Sequence, residues 1–357
     1  MPEPARPLLV TADSELLDDL LRLSAAAGAE PEVAHDGAAA RASWASAPLV
    51  VVGDDVAEAL SRQALPRRPG ILLVSRNRDD ADTYRQAVEL RADDVVILPD
   101  SEAHVVDRLA DATERPRGDA VTVCVLGGRG GAGATTLAAA LAVTGVLSGH
   151  RTLLLDGDPL GGGIDLVLGG EQSRGLRWPE LVSARGRVSG GALHDALPRV
   201  DGLTVLSWDR GDLLTIPPEA MRTVLGAARR GSDLVVVDLP RYLDDASEEV
   251  LSRCTVALLT VPAEVRATAA AARVASAAGL LATDLRLVVR GPAPSGLSGK
   301  DVAASLGLPL AGEIRPEPEL SRALERGEPP ARRGRGPLAA FCRSFLHELP
   351  MGRRAAA

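Results

Sequence analysis

The sequence predicts two α/β domains in series. Short apolar runs alternate with helical periods from Pro7 to about Thr113 and again from Ala120 onward, the layout of strands covered by helices. The polar segment Thr113–Asp119, with Pro116 and Gly118, separates the two patterns. A chain of 357 residues also exceeds one ordinary core, since single domains usually hold about 100–200 residues. The expected organisation is residues 1–113, a linker at 114–119, and a second domain at 120–350.

Composition narrows the function classes. Apolar residues make up 46% of the chain and charged residues 25%, which is globular; aromatics at 2% leave the core to aliphatic side chains. A formal charge of −8 argues against holding duplex DNA by broad phosphate neutralisation, so no specific nucleic acid is expected. Cys124, Cys254 and Cys342 are far apart and form no C-x-x-C, which indicates neither a disulfide frame nor a zinc site. Met1–Pro7 runs straight into a strand pattern without a basic flank and long apolar region, so a cytoplasmic protein is expected. Lysine occurs once, as Lys300, and arginine carries the other positive charge, a pattern of coding bias.

In the first domain, strands are expected at Leu8–Thr11, Pro31–Ala34, Leu49–Val52, Ile71–Val74 and Val95–Leu98. Helices are expected at Ser14–Ala27, opened by a Ser cap, and at Asp82–Arg91. Five strands with intervening helices indicate a flavodoxin-like unit. The stretch resembles a response-regulator receiver, with Asp13 after the first strand and Leu98-Pro99 after the fifth. The family's phosphate acceptor at the end of the third strand aligns with Gly53, and the lysine before its proline aligns with Leu98. Two readings follow: a pseudo-receiver used for docking, or an acceptor shifted to Asp54.

The second domain opens with a strand at Ala120–Leu126, followed by Gly127-Gly128-Arg129-Gly130-Gly131-Ala132-Gly133-Ala134-Thr135-Thr136 and an apolar helix starting near Thr135. Glycines let successive backbone N–H groups face a phosphate, and a helix N-terminus adds favourable partial charge. The apolar stretch Ala132–Gly149 carries Thr135, Thr136, Thr144 and Ser148 and begins in that loop, so it reads as a buried helix rather than a membrane span. The spacing fits G-x-x-x-x-G-K-[ST] with Ala134 at the lysine position, and it also fits G-x-G-x-x-G at Gly128, Gly130 and Gly133. A nucleotide site and a plain glycine turn are both open on the loop alone.

Downstream runs weigh on that choice. Arg151–Asp156 and Ser232–Asp238 are apolar strands ending in acids, the first followed by Gly157-Asp158-Pro159, the second by Leu239-Pro240. Thr260-Val261-Pro262-Ala263-Glu264 closes another, and Leu285–Val289 leads into Arg290-Gly291-Pro292. Gly307–Ile314 reads as a short final strand and Ser321–Gly327 as a helix and turn.

With these segments in order, the second domain resembles the MinD/ParA P-loop superfamily, nearest its actinobacterial septum-site-determining and CpaE-like branch. The resemblance covers about Val121 to Leu349. It implies a mostly parallel sheet and an ATP or ADP site with Mg, in which Gly128, Arg129, Gly130, Gly131, Ala132, Gly133, Ala134, Thr135 and Thr136 form the phosphate loop. It implies Asp156 beside the attacking water, and Thr135, Asp158 and Asp238 around the metal. Ala134 and Arg129 replace the family's two loop lysines, and Arg290 replaces the asparagine that reads adenine. The implied function is a spatial regulator of septum placement or of pilus and secretion machinery, with weak or absent ATP hydrolysis. Partners implied are proteins of that machinery, a second copy of the chain, and a membrane or septum surface.

Two alternatives stand beside it. One is an active ATPase that dimerises around nucleotide with Arg129 reaching across. The other is a dinucleotide-binding oxidoreductase, for which no catalytic His or Tyr lies near the loop. Near the C-terminus, Leu338, Phe341, Cys342, Phe345, Leu346 and Leu349 share one helical face, flanked by Arg332, Arg333, Arg335, Arg353 and Arg354. Docking on its own domain and lying on an anionic membrane are the two readings of that helix.

Overall fold

The computed structural model describes residues 6–63, 65–77, 81–113, 120–183, 190–294 and 296–351. The linker at 114–119 and the flanking Arg353 and Arg354 lie outside the described residues. The chain divides into two compact units, Met1–Pro116 and Arg117–Ala357.

The N-terminal unit contains β1 (Leu8–Val10), β2 (Glu32–Ala34), β3 (Val50–Gly53), β4 (Ile71–Ser75) and β5 (Asp94–Ile97). They form a parallel sheet in the order β2-β1-β3-β4-β5, which is the flavodoxin-like order. Strand runs apolar at every position are what such a sheet requires, because helices cover both faces. Leu8, Val10, Val50, Val52 and Leu73 pack on one side, while Leu9, Val51, Leu72 and Val74 pack on the other. Trp44 is fully buried and its indole N–H donates to the Pro66 carbonyl at 3.0 Å.

One local expectation is corrected here. The helix Ser14–Ala26 is capped by Asp13, not by Ser14: the Asp13 carboxylate accepts from the backbone N–H groups of Glu15 and Leu16. Asp13 is thereby occupied as a structural cap.

Gly53 ends β3 and caps the helix Asp54–Ser61, so Asp54 and Asp55 belong to a helical first turn rather than to the strand. Asp55 folds back over Gly53, accepting from the Thr11 hydroxyl at 2.8 Å and from the N–H groups of Ala12 at 2.7 Å and Asp13 at 3.0 Å. A Cβ at Gly53 would lie 2.2 Å from Asp55 Oδ1. The space that a side chain at Gly53 would take is filled by the carboxylate two residues on. Asp54 accepts from the Ser75 hydroxyl at 2.5 Å.

The C-terminal unit contains β6 (Val121–Gly127), β7 (Thr152–Asp156), β8 (Arg199–Val200), β9 (Leu203–Leu206), β10 (Leu234–Leu239), β11 (Val256–Pro262), β12 (Leu285–Arg290) and β13 (Leu310–Ile314). The sheet order is β13-β12-β11-β6-β10-β7-β9-β8, and every pairing except β8 with β9 is parallel. The β8–β9 hairpin was absent from the sequence expectations, because a two-residue and a four-residue run fall below what periodicity resolves.

Alternate residues of the central strands again serve two cores, Cys124, Leu126, Val235 and Val237 on one side and Val123, Val125, Leu154 and Val236 on the other. The helix Ala134–Leu147, with Leu137–Ala142 all buried, follows β6. The last helix, Pro337–Glu348, packs on it. Its face carries Leu338, Cys342, Phe345 and Leu346 into the core, so docking on its own domain is the reading the structure adopts. Fully burying one such aliphatic or aromatic side chain contributes about 1.5–3 kcal/mol. No helix of the described residues is long and apolar enough to cross a membrane.

Candidate functional site at the strand β6 loop

The sheet reverses its order around β6, with β10 on one side and β11 on the other. Open α/β sheets place ligands at such a switch point, outside the carboxyl ends of the strands. The loop from Gly128 to Gly133 occupies that place, and the helix begins at Ala134, one residue earlier than expected.

The glycines have separate reasons. At Gly128 a Cβ would come within 2.6 Å of the Ala271 Cβ, so the loop lies flat on the helix Val265–Gly279, with its N–H donating to the Thr260 carbonyl. Gly133 has φ +86°, and a Cβ there would lie 1.8 Å from Arg290 Nη1. Gly130 and Gly131 have open space where their side chains would be.

The acids converge beneath this loop. Asp238 and Asp156 are register partners on β10 and β7, and Asp238 also pairs with Val125 of β6. Both are buried. Asp156 accepts from the N–H of Ile164 at 2.9 Å, the hydroxyl of Ser207 at 3.0 Å and the N–H of Asp158 at 3.3 Å. Burial nevertheless pushes its pKa up to about 6, partly offset by those hydrogen bonds. Burial holds Asp238 well above the carboxylate range; the neighbouring Asp156 charge adds to this, and a hydrogen bond from Thr135 opposes it. Thr135 and Asp238 are thus brought together, with Asp158 half-buried beside them.

Hydroxyl and carboxylate oxygens are hard donors that suit Mg, and buried carboxylates short of positive charge are what a cation would relieve. Among the described residues no three acidic, His or Cys side chains group closely enough to hold a metal by themselves. Phosphate oxygens and water would complete such a shell.

Two arginines stand at the loop, and one of them is paired with a carboxylate. Arg129 Nη2 donates to Glu264 Oε1 at 2.9 Å within the same chain. Arg290, at the end of β12, donates through Nη1 to the Ala132 carbonyl at 2.7 Å and is half-buried. Sequence reasoning treated Arg290 only as a lost base contact; the fold instead lays it on the glycine loop. Lys300 lies in the first turn of the helix Gly299–Leu306.

Several supporting residues were not foreseen. Ser207 bridges Asp156 and the buried Asp165, and Arg210 pairs with Asp165 at 3.2 Å. The Trp178 indole N–H donates to the Asp156 carbonyl at 2.7 Å, and its ring lies 6.1 Å from that of Trp208. Ser207, Trp208 and Arg210 follow β9, so the missed strand concealed them.

A mostly parallel sheet with this loop at its switch point and acids ending β7 and β10 has the MinD/ParA-like fold. Bacillus subtilis septum site-determining protein MinD is 25% identical over 220 residues, covering 58% of this chain and 80% of MinD. The structure of septum site-determining protein MinD from Pyrococcus horikoshii, complexed with Mg-ADP, superposes with a TM-score of 0.54 at 17% identity, covering 65% of this chain and 96% of that one. Residues 10–120 match the family model described as the Rv3660c-like, CheY-like N-terminal domain.

Across both units, protein Rv3660c of Mycobacterium tuberculosis is 40% identical over 345 residues, 95% of this chain and 96% of that protein. The chain belongs to the Rv3660c family.

Proposed function

We propose that this chain is a MinD/ParA-like spatial regulator that holds a purine nucleotide with Mg on the loop Gly128–Thr136 and turns it over slowly or not at all. The observation that carries the reading is the charge balance at the loop. Ala134 replaces the ammonium that would offset phosphate charge, Arg129 is tied to Glu264, and Arg290 is tied to the Ala132 carbonyl. The metal side, with Thr135 against Asp238 and Asp156 and Asp158 beside it, remains. Bound Mg would neutralise phosphate charge; Thr135 and Asp238 would orient it, and Asp156 would hold water.

The work of such a site lies in a bound state that protein partners recognise, at the septum or at pilus and secretion machinery. The N-terminal unit serves in this reading as a docking body without a phosphoryl acceptor, because Asp13, Asp54 and Asp55 are already hydrogen-bonded within it. Calorimetry with Mg and pyrophosphate or nucleotide, run beside a phosphate-release assay on ATP and GTP, tests the proposal. Binding without turnover is expected. Robust turnover that disappears in Asp238→Ala overturns it.

The intact Thr135–Asp238 pair also favours a second reading, a working ATPase that dimerises around nucleotide. That reading requires Arg129 to leave Glu264. Ala134→Lys separates the two: a gain of 100-fold or more shows that only the ammonium is missing. The oxidoreductase reading draws no support from Asp156, which is buried and accepts three protein hydrogen bonds instead of facing a ribose.

A further inference from the structure

Two of the three cysteines meet in the fold although they stand far apart in the sequence. Cys124 lies in β6, where the register with β11 sets it opposite Ala257. Just before β11 begins, the Thr255 N–H donates to the Thr122 carbonyl at 2.9 Å, so Cys254 enters beside the start of β6. Both side chains join the core on the same face of the sheet, where the Cys124 thiol hydrogen-bonds to the Cys254 sulfur. Cys254 in turn donates to the Leu251 carbonyl at 3.2 Å, at the end of the helix Asp245–Leu251.

Their access differs. Cys124 has no exposed surface, whereas Cys254 is 9% exposed and follows Ser252 and Arg253, which both face solvent. Burial pushes the Cys124 thiol up, while the hydrogen bond from Cys124 lowers Cys254. The thiolate is the reactive form, and it reacts where an oxidant can reach it. Cys342, alone in the other core, has a thiol pushed up to about 12 by burial. A buried cysteine ordinarily serves as a small apolar side chain. Packing does not require two thiols in contact with the more acidic one beside an exposed turn.

We propose that Cys124 and Cys254 form a modification site for peroxide, in which Cys254 is the attacking thiol and Cys124 resolves it into an intramolecular disulfide. The Cys254 thiolate attacks one oxygen of hydrogen peroxide. The S–O bond forms, the O–O bond breaks, and the departing hydroxide takes up the proton that Cys254 released, leaving a sulfenic acid. The Cys124 sulfur then attacks the Cys254 sulfur; the S–S bond forms, the S–O bond breaks, and the hydroxyl leaves with the Cys124 proton as water. The two thiols lose two electrons, and hydrogen peroxide is reduced to two waters. The bond ties β6, which leads into the glycine loop, to the turn before β11. The site stands whether or not nucleotide occupies that loop.

The test exposes the folded, reduced full chain to hydrogen peroxide, denatures it in acid, alkylates the remaining thiols and maps the peptides by mass spectrometry. A Cys124–Cys254 disulfide is expected, with Cys342 alkylated and both other thiols recovered on adding dithiothreitol. Cys254 should be consumed about 10-fold faster than Cys342. In Cys124→Ala, a cyclic diketone that captures sulfenic acids should label Cys254; in Cys254→Ala, Cys124 should remain a thiol. Thermal melts check that both variants fold, and the wild-type peptide map needs neither. Equal alkylation of all three cysteines after peroxide, a disulfide formed only after urea unfolding, or a bond between two chains overturns the proposal. Diketone labelling of Cys124 in place of Cys254 overturns it as well.

Discussion

In the N-terminal unit Asp13 caps a helix, Asp55 takes three hydrogen bonds and Asp54 takes one from Ser75. In the C-terminal unit Asp156 and Asp238 also stand where strands end, but they are buried side by side and burial raises both pKa values. Both units are doubly wound sheets with acids at the carboxyl ends of strands. Donors within the first unit have taken over its acids, and Gly53 leaves no room for another. The second unit buries two carboxylates side by side, and the three hydrogen bonds to Asp156 offset that burial only in part. Strand-end acids alone therefore do not define a site; uncompensated burial is what separates the two units.

The largest test of that contrast is pH. Raising the Asp156 pKa from 3.8 to about 6 corresponds to about 3 kcal/mol of linkage. The folded state binds this proton more tightly than the unfolded state. The favourable contribution is therefore complete below about pH 4 and lost as pH rises through about 6. Urea unfolding of wild type and Asp156→Asn should diverge by about 3 kcal/mol between pH 4 and pH 7, in favour of the variant at pH 7. Mg with pyrophosphate should shrink the gap, and a pH-independent difference would erase the contrast between the units.

The next largest effect is expected at Gly53→Asp. The new side chain must displace Asp55 from its three hydrogen bonds, costing roughly 2 kcal/mol in urea unfolding, and acetyl phosphate should not phosphorylate the variant. Phosphorylation without loss of stability would show that the first unit remains a site.

Gly133→Ala should cost about 1–2 kcal/mol, because φ is positive and Arg290 must retreat. Its sharper readout is the affinity for pyrophosphate with Mg, expected to fall several-fold as the loop shifts. The smallest effect is expected at Arg129→Ala, whose pair with Glu264 is more than a third exposed and should contribute less than about 1 kcal/mol. A much larger loss in thermal unfolding would mean that this pair anchors the loop.

Much of the site was legible because its signals are local. The apolar runs ending in Asp156 and Asp238 mark β7 and β10, and the glycine spacing marks the loop. Ser14 was mistaken for a cap because Ser and Asp are both good caps, and only the geometry shows which one the first turn uses. The four-residue β9 was too short to announce itself, and with it went Ser207 and Arg210.

By itself, the sequence determined two doubly wound α/β units, the glycine loop after β6 and the acids that end the strands, because periodicity and turn chemistry act between near neighbours in the chain. Only the tertiary structure decided what those residues do to one another. Asp55 fills the space over Gly53, and Asp156 lies beside Asp238 in register. Arg290 reaches the Ala132 carbonyl across 158 positions. Strand order brings these groups together, and burial then sets their charge, which no run of adjacent residues encodes.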